Sequence, residues 1–100
     1  MSMPTGKQPE AGPFARAISA EFRSVIGRRQ MSGQELANLS GLSRSYLTKR
    51  LRDEAAFTAN DIEAICGALE LSHMGVLHSA VRAAALDKRR HKPGQDGNKK

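Results

Sequence analysis

The stretch QELANLSGLSRSYLTKRLR, from Gln34 to Arg52, sets two helical patterns on either side of one glycine, Gly41. Just before and into it, Ser32-Gly33-Gln34-Glu35 has the form of a capping box. In that motif the serine oxygen accepts from an early backbone amide while the glutamate reaches back to the serine amide. A helix therefore starts there and buries Leu36 and Ala37, with Leu39 as a flank. Gly41 ends it early, because glycine enters the left-handed conformation without a Cβ clash. Ser43 caps the next helix, over about 43–54, whose apolar side is Leu47 and Leu51. Two short helices joined by a tight turn cross steeply, and the small Ala37 lets their backbones approach. Leu42, in the turn, drops into the core, and Leu47 meets Leu36.

Outward from this pair the chain remains helical in its spacing, and no segment alternates apolar and polar as a half-buried strand does. Gly12 and Pro13 suit the start of a first helix, with Phe14, Ile18, Phe22, Val25 and Ile26 on one face and Arg28 and Arg29 at its carbonyl end. Thr58, with Asp61 three residues on, caps a fourth helix that carries the stripe Ile62, Ile65, Cys66 and Leu69. Ser72 caps a fifth, with Met74, Leu77, Val81 and Ala84 or Ala85 on one side, fading into Lys88, Arg89 and Arg90. The expected fold class is all-α with five helices. Residues 13–90 form one domain between a disordered N-terminal arm, 1–12, and a disordered basic tail, 91–100.

One hundred residues suffice for one modest core but not for a cleft between domains. The net charge of +6 points to a polyanionic partner. Residues 87–100 hold six basic and two acidic side chains, so +4 of that charge lies in the tail. Within the body the signs are segregated. Residues 44–52 carry four positive side chains and no negative one, whereas 53–70 carry five negatives and no positive.

The spacing of Ala37, Gly41, Leu42 and Leu47 resembles the helix-turn-helix of the phage repressor and Cro family, also called the Xre family, whose lambda-repressor-like domain has five helices. The resemblance covers roughly Phe14 to Ser72. It implies a sequence-specific double-stranded DNA-binding transcription regulator, a repressor of the phage immunity type, that places its third helix in the major groove. On that resemblance Arg44, Ser45, Thr48 and Lys49 reach base edges, with Arg44 matched to a guanine by its planar fork. Gln34, Ser43, Tyr46, Arg50, Arg52, Thr58 and Asn60 hold phosphates.

Two departures from the family pattern stand out. Gly33 occupies the first position of the second helix, where members often carry Gln, and Arg50 stands where many keep an apolar residue. The second departure makes Leu51 the buried anchor and sends Arg50 outward. A homodimer through the fifth helix is the expected assembly, with Met74, Val76, Val81 and Leu86 facing a second copy; the same residues could instead cover the chain's own core. The rival class is an antitoxin or adaptor, a protein-interaction module on a helix-turn-helix scaffold, working through the acidic 53–70 segment or the fifth helix.

Other chemistries find little support. Cys66 alone forms no intramolecular disulfide and shares a core stripe. His73 and His78 diverge on a helix, and Asp61 and Glu63, two residues apart, do the same. Glycine-rich phosphate loops and serine elbows are absent, so neither catalysis, metal nor cofactor is expected. No segment has the apolar length of a signal peptide or a membrane span, and a cytoplasmic protein without a membrane partner is expected.

Overall fold

Pro13 sits in the first turn of α1 (Pro13–Arg28), where its missing amide donor costs nothing and its fixed φ suits the helix. The computed structural model describes residues 9–90, with side chains up to residue 86. After α1 come α2 (Gly33–Ser40), α3 (Arg44–Leu51), α4 (Ala59–Leu69) and α5 (His73–Arg90), and no strand occurs among the described residues. Both capping boxes close as the sequence predicts: Glu35 N donates to Ser32 Oγ (3.0 Å) and Asp61 N to Thr58 Oγ1 (3.0 Å), each answered by the reciprocal bond. Ser43 and Ser72 cap α3 and α5 through the amides of Tyr46 and Gly75. Gly41 takes the left-handed conformation, φ 82°, and its amide returns to Ala37 O at 2.9 Å, which ends α2 and turns the chain toward α3.

The five helices close over one core of Ile18, Phe22 and Val25 from α1, Leu36 and Ala37 from α2, Leu47 from α3, Ile65, Cys66 and Leu69 from α4, and Val76 and Ala80 from α5. Each of the large side chains among these contributes about 1.5–3 kcal/mol by leaving water. Leu42 packs against this core from the turn. Phe57, in the loop before α4, meets Phe22 edge-on with ring centroids 5.5 Å apart.

The structure corrects the expected faces of α1 and α5. Phe14 lies exposed, so the apolar stripe of α1 begins at Ile18. On α5 it is Val76 and Ala80 that are buried, while Met74 and Val81 face solvent. The apolar residues of α5 are spread around the helix, so two faces satisfy the same periodicity; packing against α1 selects the one with the small Ala80. Val76 is consequently withdrawn from any surface offered to a second copy.

The body also begins earlier than residue 13. Ala11 is buried, its amide donates to Asp53 O at 3.2 Å, and its carbonyl accepts from Arg16 Nη1 at 3.0 Å. Residues 1–8 of the expected arm and the whole expected tail, 91–100, lie outside the described residues.

Candidate nucleic-acid interface

Helix α3 turns the sequence pattern into a two-sided object. Leu47 and Arg50 point inward, and Leu51 is half-buried against the core. Arg44, Ser45, Thr48 and Lys49 are all exposed. Side chains four apart stand one turn above each other, so Arg44 and Thr48 form one outward column and Ser45 and Lys49 the next. A shallow groove on this side is lined by these four together with Ser43 and Arg52, with Glu54 also contributing. The helix stops at Leu51 rather than near 54, because Asp53 takes a left-handed φ of 66°.

What holds α3 in place is polar at both ends. At its carbonyl end Asp53 accepts from the buried Ser19 hydroxyl of α1, and Arg23 donates to Leu51 O while standing 3.6 Å from the Asp53 carboxylate. On the α4 side, Asp61 is buried and takes bonds from two elements: Tyr46 Oη donates to its Oδ2 at 2.7 Å and Thr58 N to the same oxygen at 2.9 Å. Arg50 lies within this cluster, its Nε 3.8 Å from Asp61 Oδ2 and its guanidinium carbon 3.6 Å from the centre of the Tyr46 ring. The start of α4 is thereby tied to the first turn of α3 through Tyr46 and to its last turn through Arg50.

Two of the expected phosphate-contacting side chains, Arg50 and Tyr46, are engaged within the protein in this arrangement. Arg50 is 8 % exposed and does not point outward. Its helical position, three after Leu47, faces α4, and the Asp61 carboxylate there compensates a charge that would otherwise be driven to the surface. Tyr46 has its hydroxyl proton committed to Asp61 and its ring against Arg50. Sequence spacing alone contained a signal for Asp61 as a cap but none for its reach across to α3.

The remaining phosphate candidates are exposed in the structure. Ser43 uses its oxygen to accept from Tyr46 N at 3.1 Å, and Gln34 donates to Asn38 Oδ1 at 3.0 Å from the first turn of α2. Arg52 pairs with Glu54 at 3.2 Å, a solvent-facing contact worth about 0–1 kcal/mol and therefore readily exchanged. Thr58 and Asn60 stand at the start of α4, Thr58 with its oxygen already in the cap. Among the described residues no group of three or more His, Cys, Asp and Glu side chains is placed to hold a metal ion, and no single helix is long and apolar enough to cross a membrane. Burial pushes the Cys66 thiol up, which disfavours its thiolate.

Tyr46 offers a direct check on the cluster. Its hydrogen bond to the Asp61 carboxylate, reinforced by burial and by the carboxylate's charge and opposed by Arg50, holds the phenol above its ordinary pKa of 10.0. A pKa raised on folding stabilises the protonated native state, so this contribution is complete below about pH 10 and is lost as pH rises through the folded value. The chain has one tyrosine and no tryptophan, so tyrosinate absorbance reports this group alone. An alkaline titration is expected to give a midpoint higher in the native protein than in denaturant, and lower again in Asp61→Asn than in the native chain. A native midpoint at or below the unfolded one would contradict the Tyr46–Asp61 bond.

An all-α body that holds a short helix by both ends and leaves its basic side outward defines a helix-turn-helix domain. The chain belongs to the Cro/C1-type HTH DNA-binding domain family, whose model matches residues 21–75. That family consists of DNA-binding transcription regulators and not of enzymes. Among solved structures, the clp gene regulator ClgR of Corynebacterium glutamicum is 26 % identical over 88 % of this chain and 93 % of its own, with a TM-score of 0.73. The restriction-modification controller protein C.Esp1396I is 21 % identical over 77 % of this chain and 99 % of its own, with a TM-score of 0.67. The same controller, solved as a tetramer in complex with its natural 35 base-pair operator, is 20 % identical over 75 % of this chain and 99 % of its own, again at a TM-score of 0.67. At those identities the controller structures show the shared fold alone. No curated protein matches the sequence.

Proposed function

We propose that this chain is a sequence-specific transcription repressor that inserts α3 in the major groove of double-stranded DNA and blocks a promoter by occupying it. The observation that carries this reading is the outward side of α3, where Arg44, Ser45, Thr48 and Lys49 are exposed on a helix fastened to the body at both ends. A helix so held presents base-reading groups with little freedom left to lose, which favours selectivity over loose attraction. In this reading Arg44 takes a guanine through its planar fork and Lys49 reads on the next turn, with Ser45 and Thr48 between them. Ser43, Gln34, Arg52, Thr58 and Asn60 contact phosphates. Likeness to a protein named as a gene regulator supports a role in transcription.

Pairing of two copies through α5 belongs to the same proposal. Met74 and Val81, seven residues apart on one side of α5, are 60 % and 55 % exposed, and Leu86 further along is 53 % exposed. A dimer would place two copies of α3 about one helical turn of DNA apart.

The test is selection of bound duplexes from a random pool by the purified full chain at near-physiological salt. An enriched inverted repeat is the expected result. On that duplex, log affinity should fall linearly with log salt, with a slope on the order of −0.9 for each phosphate neutralised. Failure to enrich any sequence would overturn the proposal and turn attention to a protein partner of the exposed α5 face.

A further inference from the structure

Gly33 is the one described glycine at which an added Cβ would collide: it would lie 2.8 Å from Arg44 Nε and 3.5 Å from both Cδ and Cζ of that side chain. The outer half of Arg44 therefore runs back from the first turn of α3 and rests on the bare backbone at the first position of α2. No hydrogen bond or ion pair to a described residue holds the guanidinium there. What permits the pose is the absence of a side chain at 33. Gly33 has no left-handed φ to require glycine, so its backbone accepts any residue and its emptiness serves the neighbouring arginine.

We propose that Gly33 is a specificity-determining position of the DNA-reading surface, acting through Arg44. With residue 33 bare, Arg44 leans toward α2 and its planar fork reaches the base pair on that side of the recognition helix. A side chain at 33 closes this route and swings the guanidinium along α3 toward Ser45 and Thr48, moving or removing the contact. Gly33 is a positioning residue in this scheme, since it touches Arg44 and not the base. The inference rests on the DNA-reading role given to Arg44 above.

The experiment is a double-mutant cycle on the full chain with Gly33→Ala and Arg44→Ala. It is read as affinity for the duplex that the wild type selects and for its single-base-pair variants. Gly33→Ala should retain or raise the melting temperature, because alanine is a better helix former than glycine. Its preference at one base pair should shift by about tenfold, in the range seen for coupled residues in contact, and the shift should vanish in the Arg44→Ala background. Gly33→Ser, with a larger group at the same place, should move the same base pair at least as far. A mere structural role would not produce a change confined to one base pair. An unchanged preference, or the same change with and without Arg44, overturns the inference while leaving the repressor reading intact. A wild type that selects no duplex overturns both.

Discussion

Replacing Asp61 with alanine is expected to destabilise the protein by about 3–5 kcal/mol, the cost typical of removing one partner from a buried ion pair. That is a large share of the roughly 5–15 kcal/mol by which small domains are stable. The size follows from how many groups lean on one carboxylate. Thr58 N loses the reciprocal bond of its capping box, Tyr46 Oη loses its acceptor, and the buried Arg50 loses the carboxylate 3.8 Å from its Nε. The converse change is milder. Arg50→Met leaves Asp61 with both of its hydrogen-bond donors and replaces a compensated charge with an apolar chain of similar length, which buried pairs often tolerate at little cost. Denaturant melts of the two variants beside the wild type make the comparison, and equal destabilisation would show that Asp61 supports Arg50 alone. If Asp61→Ala costs less than about 1 kcal/mol, the cluster does not hold α3 to α4.

The contrast between what the sequence shows of this cluster and what it hides is a matter of range. Ser32, Gly41, Ser43, Thr58 and Ser72 act on backbone groups three or four residues away, so their chemistry is written in nearby letters and each is found doing what its spacing predicts. Asp61 is legible as the third residue of a cap but also bonds Tyr46, fifteen positions earlier, and Ser19 meets Asp53 across thirty-four. Periodicity carries no information about such pairs. It ranks a charged residue as surface unless its partner is already known, so spacing alone places Arg50 outside while the structure holds it within.

Ambiguity of a second kind belongs to apolar faces. In α4 the stripe Ile62, Ile65, Cys66 and Leu69 is single, and the structure turns that stripe inward. Helix α5 has apolar residues on several sides, so burial of Val76 and Ala80 in place of Met74 and Val81 depends on the shape of α1 and not on α5 itself. For the outward side of α3 the two kinds of difficulty do not arise. Arg44, Ser45, Thr48 and Lys49 have no buried carboxylate within reach and follow a helix whose inward residue, Leu47, is unmistakable. Their exposure is as the sequence predicts, while the lean of Arg44 onto Gly33 could not be read from spacing.

Simultaneous replacement of Arg44 and Lys49 with alanine is expected to abolish selection of the preferred duplex, with a loss of discrimination on the order of a hundred- to a thousandfold. The figure follows from about 1–3 kcal/mol for each good base contact. Both side chains are exposed and neither caps a helix nor pairs with a buried group, so the melting temperature should change little, within about 0.5 kcal/mol of stability. Arg52→Ala separates base reading from charge. It removes a cation that pairs with the solvent-facing Glu54, and should weaken all duplexes alike and flatten the salt dependence by one phosphate's share, leaving their ranking unchanged. Binding by the double variant is then expected to resemble the wild type on random DNA: weak, salt-sensitive and indifferent to sequence. If the double variant instead keeps the wild-type ranking of duplexes, the bases are read by some other face, and the outward side of α3 supplies attraction without information. If it unfolds, Arg44 and Lys49 support the fold, and the outward side of α3 is not free to read bases.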